Sequence, residues 1–160
     1  MRNFLNVVGF IWLLPVNILV WFWLIILLLK GSIEEVTLQP NLALRWDVAN
    51  DSKLYKLMHK DNWFGFVLGN NVIVVDDDPY EQFAQFIMHE NVHVAQNYVF
   101  GIFFYPAYFI VSTFIFCFLW EKHAYLDNPF ERQARKLAGQ RVDIPREEWP
   151  QGPHDRWSFW

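Results

Sequence analysis

Cysteine and basic side chains are both scarce in this chain. Cys117 is the only cysteine and lies inside an apolar stretch. An intrachain disulfide is therefore excluded, and cysteine content does not indicate a redox compartment. The 13 lysines and arginines are outnumbered by 17 acidic residues and form no basic stripe. The sequence gives no reason to expect nucleic acid as a partner, because that binding needs clustered positive charge to neutralise phosphates.

Charge of either sign is absent from residues 3–29. That run exceeds the about 20 residues that a bilayer-spanning helix needs and the roughly 7–15 residues of a signal-peptide core. No small-x-small cleavage pattern follows it. We therefore predict an uncleaved anchor, one transmembrane helix over residues 4–29 with a kink at Pro15. Its orientation stays open, because Arg2 and Lys30 lie at opposite ends of it.

Residues 31–78 have the composition of a small, partly β, water-exposed region. Within it, two apolar runs flank Gly69-Asn70-Asn71, and these residue types favour a tight β-hairpin turn. Asp78 and Pro79 then favour the start of a helix, as the N-cap and the first helical residue. We predict that this helix extends to about Tyr98.

This helix carries the pattern His-Glu-x-x-His at residues 89–93. Imidazoles at positions i and i+4 lie on one helical face, close enough to share a tetrahedral metal ion. Glu90, one residue after the first histidine, has its carboxylate beside the metal, where it can accept a proton from a water molecule that the metal acidifies. The motif therefore predicts a zinc centre with His89 and His93 as ligands and Glu90 as the general base.

A zinc peptidase needs a third protein ligand, and the sequence downstream offers several. The candidates are Glu131, His123, Asp127 and His154. Glu131 lies on a short helix predicted between Asn128-Pro129 and Gly139, where the small side chain of Ala134 permits close approach to the motif helix. This placement favours Glu131, with His123 and Asp127, spaced i and i+4, as the rival pair.

The segment HENVHVAQ, preceded by VIVVD and followed by NPFERQAR, resembles the zincin metallopeptidases whose third ligand is a glutamate. It is especially similar to small membrane-associated HExxH proteins of bacteria and phages. The likeness covers roughly residues 63–140, and its specific part is the HExxH motif. It implies a zinc ion held by His89, His93 and Glu131, with Glu90 as the base. It also implies that the VIVV strand borders the cleft and pairs with an extended substrate.

Two positions depart from the pattern of that family. Phe130 stands where an asparagine often precedes the ligand glutamate. Arg135 stands where an aspartate, four residues after the glutamate, would orient a ligand histidine. Both departures affect the residues around the metal ligands, which normally fix the orientation of those ligands.

A second uncharged run, residues 91–120, is long enough to span a membrane on length alone. A straight crossing over about 30 Å of hydrocarbon would leave His93 and Glu131 on opposite faces of the bilayer. A helical hairpin keeps the backbone hydrogen-bonded and returns the chain to its starting side. We therefore predict an apolar hairpin over residues 98–124 with both ends on one side. The expected breaks are Gly101 and Pro106, between arms near 91–104 and 107–124.

The sequence thus predicts an α+β chain in three parts. They are an N-terminal transmembrane anchor (1–30), a minimal zincin-like domain (31–140) built from the β-hairpin, the HExxH helix and the glutamate helix, and a Pro- and Trp-rich tail (141–160).

The predicted function is hydrolysis of peptide bonds by a membrane-anchored zinc metallopeptidase, with the lipid bilayer and a peptide or protein substrate as partners. Glu90 takes a proton from the attacking water and passes it to the leaving amine. One alternative is a catalytically silent zincin-fold module for membrane binding or assembly. Another is a membrane-remodelling accessory of holin type whose histidines bind no metal. The substrate, the side of the membrane, the oxyanion donor and the oligomeric state stay open.

Overall fold

The computed structural model describes residues 2–60, 64–75, 81–119 and 121–148. Within these residues the fold is mixed α+β, which confirms the predicted class at that level. The helices are α1 (Arg2–Trp12), α2 (Leu14–Leu29), α3 (Lys53–Lys60), α4 (Glu81–Phe100), α5 (Phe104–Phe118) and α6 (Pro129–Leu137). The strands are β1 (Ile33–Leu38), β2 (Leu44–Val48), β3 (Gly65–Leu68) and β4 (Asn71–Val74). The predicted N-cap at Asp78, the candidate ligand His154 and the tail from residue 149 lie outside the described residues.

The four strands form one sheet in the order β1-β2-β4-β3. β2 and β4 are parallel, whereas β1–β2 and β3–β4 are antiparallel pairs. The predicted hairpin is confirmed as β3–β4, which Gly69 and Asn70 connect. Gly69 has a φ of 64°, the left-handed conformation that the first position of a type II′ hairpin turn requires.

The strand that borders the cleft is not the expected one. Most of the VIVV sequence, residues 72–75, lies in β4, which is hydrogen-bonded to β2 on one side and to β3 on the other. Both of its edges are occupied, so the expectation that it pairs with substrate is wrong. β3 is the outer strand on that side of the sheet and takes the position beside the cleft.

The sheet is packed between two helices. Ile73 of β4 lies in a buried core with Leu24 of α2 and Trp46 of β2. Val74, the next residue, points to the opposite face and packs against Val94 of α4. Because β4 is covered on both faces, its sequence is an uninterrupted apolar run instead of an alternating one.

The uncharged N-terminal run forms two helices, and they meet at Leu13 at an angle of 72°. Pro15 lies in the first turn of α2, where its missing N–H is tolerated. The kink predicted there is confirmed, but a single continuous helix over residues 4–29 is wrong. At about 1.5 Å per residue, α1 and α2 each fall short of the roughly 30 Å of a bilayer core.

α2 contributes to the core of the sheet and also carries an exposed apolar face. Leu24 is fully buried, whereas Leu19 and Phe22 are more than 70% exposed. The helix is therefore packed against the region predicted as a separate domain. The predicted boundary at residue 30 stays a prediction.

A buried polar contact fixes α2 to the β3–β4 turn. Asn17 accepts hydrogen bonds at Oδ1 from the backbone N–H of Asn70 (3.2 Å) and from Nδ2 of Asn71 (3.4 Å). Trp21, one turn later, donates from Nε1 to Oδ1 of Asn71 (2.8 Å). A side chain at Gly69 would collide with Asn17, so the turn packs directly on the helix.

The second uncharged run breaks at one of the two predicted positions. Gly101 has a φ of 58° and begins a 3-10 turn between α4 and α5, with Trp12 in the space that a side chain would need. Pro106 lies in the first turn of α5 and does not interrupt it, so the predicted second break is wrong.

One helical stretch, Phe83–Phe118, is long and apolar enough to cross a bilayer, and α1 with α2 adds a second if the bent pair is counted as one span. The 3-10 turn at Gly101 lies inside the first of these stretches.

Replacement of Asn17 by alanine should destabilise the fold by about 1–3 kcal/mol, because it removes the acceptor for a buried backbone N–H. Denaturant unfolding of the detergent-solubilised protein measures this. Ile18→Ala, at the exposed neighbouring position, is the matched control. Equal unfolding midpoints for the two variants would contradict the anchoring role of Asn17.

Candidate metal centre

Two helices bring the predicted ligands together. α4 carries His89 and His93 on one face, and α6 carries Glu131 in its first turn. Asn128 begins α6 as its N-cap, accepting a hydrogen bond from the N–H of Phe130 (2.9 Å). All three predicted ligands are buried, and the burial of Ala134 on the same face of α6 agrees with the expected close approach of the helices.

The spacing of the three side chains fits a tetrahedral metal ion. Nε2 of His89 lies 3.1 Å from Nε2 of His93 and 3.1 Å from Oε2 of Glu131. Nε2 of His93 lies 3.2 Å from Oε1 of Glu131. Ligand atoms about 2.0–2.1 Å from a zinc ion lie roughly 3.3 Å apart at tetrahedral angles. Two imidazoles and one carboxylate form a ligand set that zinc accepts in catalytic sites.

The carboxylate of Glu131 is held in its ionised form. Burial alone would raise its pKa, but the Coulombic interaction with His93 and the hydrogen bonds from both imidazoles outweigh burial. The pKa of Glu131 is therefore well below its usual range. An anionic ligand is available at neutral pH without any further deprotonation.

Gln96 fixes the orientation and the tautomer of His93. Its amide nitrogen donates to the carbonyl of Phe130 (3.0 Å) and to Oε1 of Gln133 (2.9 Å). Its amide oxygen therefore faces Nδ1 of His93, 2.8 Å away, and that nitrogen must carry the hydrogen. Nε2 of His93 points at the centre of the cluster, and a metal bound there would replace the hydrogen that this nitrogen donates to Glu131.

Gln140 has the corresponding position beside His89. Its Oε1 lies 2.9 Å from Nδ1 of His89. It follows Gly139, whose φ of 75° ends α6 and turns the chain back towards α4. Two neutral amides thus lie beside the Nδ1 atoms of the two histidines. Arg135, four residues after Glu131, donates a hydrogen bond to the backbone carbonyl of Leu126.

Two tyrosines lie beside the third ligand. Tyr108 of α5 donates from its hydroxyl to Oε1 of Glu131 (2.8 Å). Tyr125 lines the same cavity as Glu131. Burial, followed by the charge of Glu131, raises the pKa of Tyr125 well above its usual value, so the phenol stays protonated.

Two further tyrosines near the site form hydrogen bonds with backbone groups. Tyr105 accepts a hydrogen bond from the N–H of Gly69, and Tyr98 donates to the carbonyl of Asn41 (2.9 Å).

The rival third ligands are not part of the cluster. Nδ1 of His123 accepts hydrogen bonds from the N–H groups of Tyr125 and Leu126, both at 3.1 Å, and holds the turn before α6. Asp127 accepts from the N–H of His123 (2.8 Å) in the same turn. In the described part of the chain, the only group of at least three His, Cys, Asp or Glu residues close enough to bind one metal contains Glu131.

A cavity of about 310 Å³ opens at the cluster. It is lined by the three ligands, Glu90, Gly65, Phe66, Val67, Phe104, Tyr105, Tyr108 and Tyr125. Glu90 is buried and shares the cavity with the ligands, as the motif predicts for a general base. β3 forms one wall, and the start of α5 forms another.

Comparison with protein-family models, with curated proteins and with solved structures found no match.

Sequence reasoning gave no role to Gln96, although its position three residues after His93 puts it on the same face of α4. It missed Gln140 altogether, because that residue lies beyond the end of α6 and only the tertiary fold brings it to His89. The sequence gives no reason to choose Tyr108 among the tyrosines near the motif, and only the fold brings its hydroxyl to Glu131.

Substitution of Gln96 by alanine should weaken zinc binding about 10- to 100-fold, the usual effect of removing a residue that orients a ligand histidine. Competition with a chromophoric chelator measures the affinity. Gln85→Ala, on the exposed side of the same helix, is the control and should bind zinc like the unmodified protein. Unchanged affinity in the Gln96 variant would contradict the role assigned to its amide.

Proposed function

We propose that this chain is a membrane-associated zinc-dependent metallopeptidase. The supporting observation is that one cavity contains a ligand cluster of tetrahedral spacing, the buried carboxylate of Glu90 and the edge of β3. A metal, a base and a strand edge are the three elements that hydrolysis of an extended peptide needs. A module without catalytic activity has no use for Glu90 in that position.

His89, His93 and Glu131 would hold the zinc ion. When bound, zinc polarises a carbonyl and lowers the pKa of a water molecule towards neutrality. Glu90 accepts the proton of the attacking water and delivers it to the nitrogen of the leaving amine. Tyr108 holds Glu131 in place throughout, and the apolar walls limit the access of bulk water.

Substrate binding follows from the hydrogen-bond register of the hairpin. The backbone N–H of Val75 donates to the carbonyl of Phe64 (2.9 Å), so Phe64 and Val75 form a hydrogen-bonded pair. From this pair towards the turn, every second residue pair of the β3–β4 hairpin is hydrogen-bonded as well. Val67 is paired with Val72 at a position between hydrogen-bonded pairs, and its own N–H and C=O point away from β4. Among the described residues, no strand pairs with that edge. An extended peptide can therefore add to the sheet there.

The first test is metal content. We expect one zinc ion per chain in the detergent-purified protein and none in the His89→Ala/His93→Ala variant, as measured by elemental analysis. Stoichiometric zinc in that variant would place the metal elsewhere. A protein that never binds zinc would favour the holin-type alternative.

The second test separates a peptidase from a silent module. Glu90→Gln should keep the zinc and lose at least about 100-fold of the hydrolysis of a fluorescence-quenched peptide library, because the general base is removed. Glu121→Gln, at an exposed position, is the control and should be as active as the unmodified protein. Equal activity of the Glu90 variant would contradict the mechanism.

The third test concerns strand pairing. Val67→Pro removes one outward N–H and is compatible with an edge strand, so the fold and the zinc should be retained. We expect KM to rise about 5-fold, while Val67→Ala leaves it within about twofold, because a hydrogen bond between neutral backbone groups contributes about 1 kcal/mol. A KM that is the same in both variants would show that substrate does not pair with β3.

A further inference from the structure

We infer that the substrate is a membrane-anchored polypeptide, cut in the extended segment next to its membrane-buried part. This inference rests on the proposed peptidase function and adds the class of substrate. It is carried by the path of β3, which leads from the metal cluster directly to the apolar helices.

The first step is the distance along the strand. Phe66 and Val67 line the cavity beside the ligands, and β3 ends at Leu68, immediately before the turn at Gly69. At about 3.3 Å per residue, the turn lies only about 7–10 Å from these cavity-lining residues. A peptide that pairs with β3 and continues in the direction of Leu68 reaches the turn within about three residues.

The second step is what lies at the turn. Tyr105 of α5 accepts a hydrogen bond from the N–H of Gly69, and Asn17 of α2 accepts one from the N–H of Asn70. The hypothetical side chain at Gly69 would touch Val16 as well as Asn17. The end of the strand is therefore held against the two apolar helices from both sides.

The third step is the surface that these helices present. Ile18 and Leu19, next to Asn17, are 59% and 74% exposed, and Phe109 and Ile110 of α5 are 62% and 66% exposed. No Asp, Glu, Lys or Arg occurs in residues 3–29 or 91–120, so neither helix places such a side chain on these faces. Monomeric soluble proteins rarely expose apolar surface of this extent, and lipid is the partner that matches an uncharged face on several helices.

Together these steps define the position of a bound peptide. One part lies on β3 beside Glu90, and the adjoining part reaches the turn, which is hydrogen-bonded to α2 and α5, the two helices with exposed apolar faces. An unanchored peptide fills only the first part. An anchored polypeptide fills both and is held at the correct distance by its own membrane segment, which raises its effective concentration at the cleft.

The test uses the full-length protein in phosphatidylcholine vesicles with zinc present. One fluorescence-quenched cleavable sequence is joined to a single membrane-spanning helix through a flexible Gly/Ser spacer of about 3, 12 or 25 residues. The reach of the spacer increases with its length. The same sequence is also supplied as a free peptide. We expect the shortest spacer to be cleaved at least about 10-fold faster than the longest one at equal surface density.

The outcomes are distinct. Equal rates for all three spacers, or fastest cleavage of the free peptide, would overturn the inference and leave the peptidase intact. Absence of cleavage in every substrate, with Glu90→Gln indistinguishable from the unmodified protein, would overturn the peptidase as well.

A variant of the lipid-facing surface tests the same point without changing the site. Leu19→Gln/Phe22→Gln should reduce the preference for the short spacer towards that of the free peptide, while cleavage of the free peptide stays unchanged. Leu57→Gln, on the exposed face of α3, is the matched control and should keep the preference. A preference that survives the α2 variant would show that these exposed residues do not position the substrate.

Discussion

The buried contact between Glu131 and the two imidazoles of α4 is the constraint on which the rest of the structure depends. A carboxylate that is removed from water is costly unless positive charge and hydrogen bonds compensate it. Nε2 of His89 and Nε2 of His93 lie 3.1 and 3.2 Å from the two oxygens of Glu131, and Tyr108 supplies a hydrogen bond. Between the two helices the left-handed conformation of Gly101 begins a 3-10 turn, and Tyr108, in the helix after it, contacts Glu131.

The amide of Gln96 shows how the site and the fold are connected. It orients His93 with its oxygen and binds the backbone of Phe130, next to Glu131, with its nitrogen. One side chain therefore sets the relative position of two ligands that lie on different helices. A neutral amide also adds no negative charge to the cluster, so a metal bound there would keep more of its positive charge than in sites where carboxylates orient the histidines.

Local signals in the sequence predicted the parts of this structure that depend on a few neighbouring residues. The spacing of His89 and His93, the turn at Gly69 and the N-cap of α6 at Asn128 are all of this kind. The position of VIVV was not predictable in this way, because an apolar run of that length is equally suited to an inner strand and to a strand beside a cleft. The parallel pairing of β2 with β4 decides between them, and it joins segments that are distant in sequence.

The N-terminal run illustrates a different limit of sequence reasoning. An uncharged segment has the same composition whether lipid surrounds it or a sheet covers one side, and Asn17 is one of three asparagines in this run. In the structure Asn17 is the residue that binds the β3–β4 turn, while Leu24 of the same helix lies in the core with Trp46. α2 therefore helps to hold the strand that forms a wall of the cavity. The opposite face of α2 is exposed and apolar, so one helix carries both the contact that positions this wall of the cleft and an outward apolar surface.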